Sequence, residues 1–260
     1  MRLALGISYN GQAYEGWQSQ ASARAVQDHL EAALTKFCAQ RVSTVCAGRT
    51  DAGVHALMQV IHFDSAVERE EFSWIRGTNR YLPADIAVEW ARAVPDAFHA
   101  RAVAIARRYS YIIRESVVRP SVDAGRVGWV FRPLDGEAMR QGARFLLGEH
   151  DFTSFRASAC QARSPVKTLN RIEITQRGAY WRFDFEANAF LHHMIRNLMG
   201  CLLVVGQKQQ QPSWMAQVLR ARDRDAAAPT FSAAGLYFLG PVYEDHWQLP
   251  VRTPAYDWLP

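Results

Sequence analysis

The chain has 260 residues, enough for one large domain or two modest ones, and at 49% hydrophobic and 21% charged it has the composition of a protein that buries a substantial core. No apolar stretch reaches the length of a membrane-spanning helix, and Met1–Ser8 runs straight into a strand-like alternation with no signal-peptide cleavage pattern, so a cytoplasmic protein is expected. The formal net charge is +5, and of the 30 Lys and Arg all but Lys36, Lys167 and Lys208 are arginine, the side chain suited to bidentate phosphate contacts and to stacking on bases. A genome-wide preference for Arg codons would give the same count, so position is the better guide.

Residues 2–9 alternate as a strand and stop at Asn10-Gly11, a strong turn signal. A loop with Tyr14, Gly16, Trp17 and Gln18 follows. Val26, Leu30, Ala33, Leu34 and Phe37 recur at helical spacing and predict an amphipathic helix over 24–39. A strand near 42–47 leads into a glycine-flanked loop, and a half-buried, alternating strand starts at Leu57. A helix over 67–80 and a strand from Ile86 to Ala93 come next. Phe98 opens a long strand that continues to Ile113. Asp135 caps a helix running to Leu147, residues 151–165 are loop-like, and 166–176 with 179–187 form a hairpin turned at Gly178. The most apolar helix starts near Ala189, with Phe190, Met194, Ile195, Leu198, Leu202 and Leu203 as its stripe and Arg196 and Asn197 outside it. A short helix at 213–221 and a strand from Gly235 to Tyr243 finish the chain. Strand–helix–strand order appears before and after about residue 100, so the expected fold is α+β. Two related α+β halves, residues 1–103 and 104–260, would form a mainly antiparallel mixed sheet with flanking helices and a central basic catalytic cleft.

Cys38, Cys46, Cys160 and Cys201 are too far apart for a C-x-x-C pair, so free thiols are expected and neither a disulfide framework nor a zinc site. His192 and His193 are adjacent; on a helix they would point about 100° apart and rarely share a ligand sphere. No metal is expected.

The most informative stretch is Cys46-Ala47-Gly48-Arg49-Thr50-Asp51-Ala52-Gly53-Val54-His55-Ala56. It sets one carboxylate, Asp51, between Gly48 and Gly53 just before an apolar run. A carboxylate on such a turn can serve as nucleophile or base, or it can simply cap its own backbone. Its company in the chain tips the balance. Six basic residues and one acid lie between Arg156 and Arg182, and Arg101, Arg107, Arg108 and Arg114 cluster around Tyr109 and Tyr111. Basic side chains interleaved with aromatics are a footprint of RNA contact, phosphates supplying affinity and unstacked bases lying on rings.

These residues fall into an ordered set. Tyr9-Asn10-Gly11…Tyr14-Glu15-Gly16-Trp17-Gln18, Gly48-Arg49-Thr50-Asp51-Ala52-Gly53-Val54-His55-Ala56, Phe98-His99-Ala100-Arg101, Arg107-Arg108-Tyr109-Ser110-Tyr111, Asp151-Phe152-Thr153-Ser154-Phe155, Phe190–Asn197 and Gly235-Leu236-Tyr237 follow one another. In that order, nearly end to end, the chain resembles the tRNA pseudouridine synthase A family. The resemblance implies isomerisation of uridine to pseudouridine at positions 38, 39 and 40 of the tRNA anticodon stem-loop, without cofactor or metal, by a homodimer in which one tRNA touches both subunits. It implies Asp51 as the catalytic nucleophile, Tyr109 stacked on the target base, Arg196 paired with the Asp51 carboxylate, Leu236 lining the pocket, and Arg49 taking the place of the flipped nucleotide. It also implies RNA contact from Phe98, His99, Ala100, Arg101 and Ala102, and from Ala159, Cys160, Gln161, Ala162 and Arg163. Two departures stand out: Asn10 where the family usually has Asp, and Ala102-Val103 where it usually has an aromatic residue followed by Ser.

Two other readings compete. An RNA-binding protein without catalysis would use the same Arg and aromatic surface but has no need of Asp51, Tyr109 and Arg196 together. An Asp-nucleophile hydrolase commonly needs a second carboxylate or a Mg²⁺ site beside the nucleophile, and the Asp51 loop has no further acid before Asp64.

Overall fold

Leu3, Leu5, Ile7 and Tyr9 are all buried, and they put a strand at the very start of the chain: β1 (Arg2–Tyr9) in the computed structural model, which describes residues 1–250. Contacts divide the chain into two units, Met1–Arg107 joined by the segment from Tyr237, and Arg108–Leu236. The last ten residues of the expected second half, 104–260, lie outside the described residues. Ten strands and five helices are present among the described residues, most strand pairs are antiparallel, and no helix is long and apolar enough to cross a membrane. The expected α+β class with a mainly antiparallel sheet is the one observed.

In the first unit the strand order is β4 (Ile86–Val94), β1, β3 (His55–Asp64), β10 (Leu236–Val242), with the two-residue β2 (Val45–Cys46) on β3. β10 runs parallel to β3, Tyr237 opposite His55. Helix α1 (Val26–Cys38) buries Val26, Leu30, Ala33, Leu34 and Cys38, the predicted stripe, except that Phe37 packs edge-on against Trp74 of α2 (Glu71–Asn79). Trp74 also meets Phe63 of β3, so the helices cover one face of this sheet. On the other face Met58, Val60, Trp90, Phe98 and Ala100 form a second core, against which Tyr243 and Trp247 pack. Burial on both faces explains why β3 is buried almost without interruption from His55 to Phe63, where half-buried alternation was expected.

In the second unit the order is β5 (Ala106–Glu115), β9 (Tyr180–Ala187), β8 (Val166–Arg177), β7 (Gly148–Asp151), with β6 (Gly128–Val130) parallel to β5. The β8–β9 hairpin turns at Gly178, φ +57°, as predicted. Trp181, Phe183, Phe185 and Ala187 alternate inward along β9. Helix α3 (Gly136–Arg144) starts at Asp135, whose carboxylate accepts from the Ala138 amide at 3.0 Å, the expected cap. It packs near α4 (Met194–Gly206) and α5 (Trp214–Ala221), Met139 closing on Gly206 of α4.

Three expectations are corrected. The long strand from Phe98 does not form: β5 begins at Ala106, and residues 98–105 are a turn segment in which Phe98 N donates to Pro95 O, Val103 N to His99 O, and the amides of Arg101 and Ala102 to the His99 ring. Helix α4 begins at Met194, five residues later than expected, with His193 in the left-handed region at its N-cap, φ +61°. His192 and His193 therefore precede the helix, and their rings lie 4.0 Å apart instead of diverging around it. Asn197, expected outside the apolar stripe, is fully buried: its amide donates to Phe155 O at 2.8 Å and its carbonyl accepts from Thr230 and Arg224.

His62 holds the 98–105 segment in place. Its ring is buried in β3, Nδ1 accepts from the Ala100 amide at 3.2 Å, and the His99 ring lies 4.8 Å away. Burial, then repulsion from His99 and Arg2, pushes its pKa down from 6.5 to about 4. A base with a depressed folded pKa leaves the folded chain binding fewer protons than the unfolded chain between the two values. Its contribution is whole above the unfolded value and is lost as pH falls toward 4. Urea unfolding at pH 7 and pH 5 should therefore show a larger loss of stability for the wild type than for His62→Gln; equal losses would remove His62 from the pH response.

Candidate catalytic loop and substrate-contacting segments

Asp51 is partly exposed on the turn between β2 and β3, and Val54 N closes that turn by donating to Asp51 O at 3.1 Å. Gly53 takes φ +78°, a conformation open to glycine. Thr50, one residue before, is buried and is held on two sides: its carbonyl accepts from Trp17 N at 3.0 Å, and its hydroxyl lies 2.7 Å from the Tyr9 hydroxyl. Gly48 is held by Gln59 of β3, which accepts from its amide at 3.3 Å and donates to its carbonyl at 2.5 Å. The Tyr14 carbonyl accepts from Gly53 N, and the His55 ring accepts from Gly11 N at 3.1 Å.

The segment Tyr9–Gln18 is thus the cradle of the Asp51 loop. Gly16 sits at φ +90° against the loop backbone, and a Cβ there would come within 2.7 Å of Thr50 O. Only glycine allows that approach. Asn10, the departure from the family's usual Asp, accepts from Gln12 N at 3.1 Å through its side-chain oxygen, a role both residue types fill.

Arg49 is exposed, between the anchored Gly48 and Thr50. Upstream, Arg101 donates to Cys46 O at 3.2 Å and to its sulfur at 3.4 Å, and Arg107 reaches Ala47 O and Arg101 O. Burial pushes the Cys46 thiol up, with Arg101 opposing it, which suits a packed thiol and not a reactive one. Within the expected RNA-contacting stretch, Phe98 and Ala100 are fully buried, His99 is partly buried, and Arg101 and Ala102 are exposed. Arg2 ties this stretch down by donating to Phe98 O at 3.0 Å while paired with Asp64, and Tyr243 donates to Ala100 O at 2.6 Å.

In the second unit Tyr109 of β5 is 8% exposed, and Phe190 meets it edge to face at 5.1 Å between centroids. Arg196, in the first turn of α4, is partly exposed and donates through Nε to Phe231 O at 2.9 Å. Leu236 is buried at the start of β10, its amide bonded to Ala233 O at 2.9 Å. In the other expected contact stretch, Ala159, Gln161 and Arg163 are exposed while Cys160 and Ala162 are partly covered. Arg156 shapes it, donating to Cys160 O at 2.6 Å and Ala162 O at 3.0 Å. Although burial acts to raise it, the Cys160 thiol is lowered on balance by amide donors from Ala162 and His192 and by Arg156.

Tyr9, Thr50, Gln59 and His62 do not stand out in the sequence as site residues. Tyr9 and Thr50 both lie inside motifs that carry the family resemblance; Gln59 and His62 lie in a run whose only sequence signal is its strand periodicity.

The sequence profile of the family described as tRNA pseudouridine synthase matches residues 7–101 and 143–244. Asp51, Arg196 and Leu236 fall inside those stretches, and Tyr109 falls between them. A protein named tRNA pseudouridine synthase A from Polaromonas naphthalenivorans (strain CJ2) is 69% identical over 264 residues, covering 100% of each chain. Proteins of the same name from Paracidovorax citrulli (strain AAC00-1) and Variovorax paradoxus (strain S110) are 67% and 69% identical, the first over 100% of each chain, the second over 97% of this chain and 95% of its own. With the profile matching most of the chain and relatives aligning along nearly all of it, this chain belongs to the tRNA pseudouridine synthase family.

Proposed function

We propose that this chain isomerises uridine to pseudouridine at positions 38, 39 and 40 in the anticodon stem-loop of tRNA, with Asp51 as the nucleophile. The observation that carries the reading is the Asp51 turn itself: a partly exposed carboxylate on a backbone held at Gly48, Thr50 and Gly53 by residues of two other segments, Tyr9–Gln18 and β3. Relatives that align with this chain from end to end and bear the tRNA pseudouridine synthase A name support the substrate.

In the reaction the bond from uracil N1 to the sugar breaks, the ring turns over, and the sugar is rejoined at C5, which gives up its proton while N1 gains one. An anionic oxygen serves this by trapping the sugar or the ring, or by assisting elimination to a glycal-like intermediate. An anionic carboxylate needs a nearby cation to hold it in place, a role that falls to Arg196. The uracil must leave the stack, at a cost of a few kcal/mol. Arg49, exposed on the loop, fills the vacated position, and Tyr109 stacks on the extruded base beside Phe190. Leu236 lines the apolar side of the pocket. His99, Arg101, Ala102 and the 159–163 segment touch the RNA, with Phe98 and Ala100 acting from the core as their support. The chemistry needs no redox centre. The working form is a homodimer in the cytoplasm, one tRNA contacting both subunits.

Asp51→Asn should bind tRNA almost as well as the wild type, since phosphate contacts elsewhere supply most of the affinity. Its single-turnover rate should fall by roughly a thousandfold or more. A rate near that of the wild type would remove Asp51 from the mechanism; lost binding with intact chemistry would favour a purely RNA-binding role for the loop. Tyr109→Ala should lose at least the stacking contribution of about 1–3 kcal/mol in transition-state stabilisation. Tyr109→Phe separates ring from hydroxyl: near-full activity assigns stacking alone, and slow chemistry with normal binding adds a proton-transfer role at C5. Tyr111, fully buried with its hydroxyl on Ser232 O, is the control. An inactive Tyr111→Phe beside an active Tyr109→Ala would reverse the assignment.

A further inference from the structure

We propose that Tyr9 is a positioning residue for the Asp51 chemistry, acting through its hydroxyl on the hydroxyl of Thr50; the proposal rests on the isomerase reading above. The two oxygens are 2.7 Å apart, and both residues are buried, Tyr9 at 4% and Thr50 at 7% exposure. Tyr9 ends β1, and the strand is irregular just there. Ile7 pairs with Gln59 but Tyr9 pairs with Ala56, so Leu57 and Met58 together face Ser8. The extra residue of this bulge lies on β3 and sets Tyr9 opposite Ala56 in place of Leu57, and bulges concentrate beside active sites.

The pair completes the restraint on one residue. Thr50 is pinned through its carbonyl by Trp17 N and through its side chain by Tyr9. The next residue is Asp51, whose own carbonyl is bonded to Val54 N. With both flanks fixed, only the side-chain torsions of Asp51 are left to place its carboxylate. Burial raises the Tyr9 phenol well above its ordinary range, so it stays protonated and serves as a hydrogen-bonding group, not as a base or proton carrier. Its benefit to the reaction is therefore geometric.

The competing possibility is an ordinary core hydrogen bond that contributes to folding and nothing more. Tyr9→Phe keeps the ring and removes the hydroxyl, and Thr50→Val keeps the shape and removes the other partner. Both would lower the melting temperature in either case, so rates are measured well below each variant's own transition. An ångström of misplacement costs on the order of a hundredfold in rate, so single-turnover pseudouridine formation should slow by roughly ten- to a hundredfold in each variant, with tRNA affinity changed by no more than about twofold. Thr50→Ser, which keeps the hydroxyl, should restore most of the rate. The double variant Tyr9→Phe/Thr50→Val should be no slower than the worse single one, because one contact is removed in all three. An active wild type with Tyr9→Phe at full speed and only its melting temperature lowered overturns the proposal alone. A wild type that forms no pseudouridine overturns the isomerase reading and this proposal with it.

Discussion

A carboxylate left partly exposed, as Asp51 is, gives up the side-chain burial that would otherwise hold it still. The Asp51 turn meets this constraint through the backbone. Ordering the six residues Gly48–Gly53 costs about 1–2 kcal/mol each, whereas each hydrogen bond returns a net of about 0.5–1.5 kcal/mol. The bonds to Tyr9, Tyr14, Trp17, Gln59 and Val54, together with burial of Thr50 and Val54, are of the same order as that ordering cost. The first turn of the chain, the strand β3 and the loop form one cooperative piece, and the glycines at 16 and 53 allow the approach.

Several of the arginines also have a role within the fold. Arg101 and Arg107 donate to the carbonyls of Cys46 and Ala47, which lead into the Asp51 loop. Arg156 does the same for Cys160 and Ala162. Arg108 and Arg114 sit near Glu186 and Asp123 in half-exposed pairs, which contribute about 0–1 kcal/mol to stability. A guanidinium with five donors can hold a loop carbonyl and still present an edge to solvent, so the same residue can shape a segment and contribute positive charge at its surface.

Elements with a complete local signature were legible in the sequence. Strand β1, helix α1 and the hairpin at Gly178 each combine a regular apolar period with a turn or cap, and Asp135 marks its helix by itself. Segments shaped by distant partners were not. Residues 98–105 carry a strand-like pattern, yet Phe98 and Ala100 are drawn into the core on β3, and the amides turn onto His99 and His62. Strand β6 exists only because it pairs with β5, and Asn197 is polar by composition but buried by its bonds to Phe155, Thr230 and Arg224. The glycines around Asp51 exposed the loop to a sequence reading. Its cradle was visible there only as a motif of unknown purpose, and the role of Tyr9 depends on a register irregularity that no periodicity records.

Conversion of uridine to pseudouridine in the anticodon stem-loop is the activity on which every residue assignment above depends. It can be read site by site, by pseudouridine mapping of tRNA from cells lacking this protein, before and after the wild-type chain is added back. Uridines at positions 38, 39 and 40 should be unmodified without the chain and become pseudouridine when it is restored, with other sites unchanged. Full modification at those positions in the deficient cells, or its persistent absence after add-back, would refute the assignment.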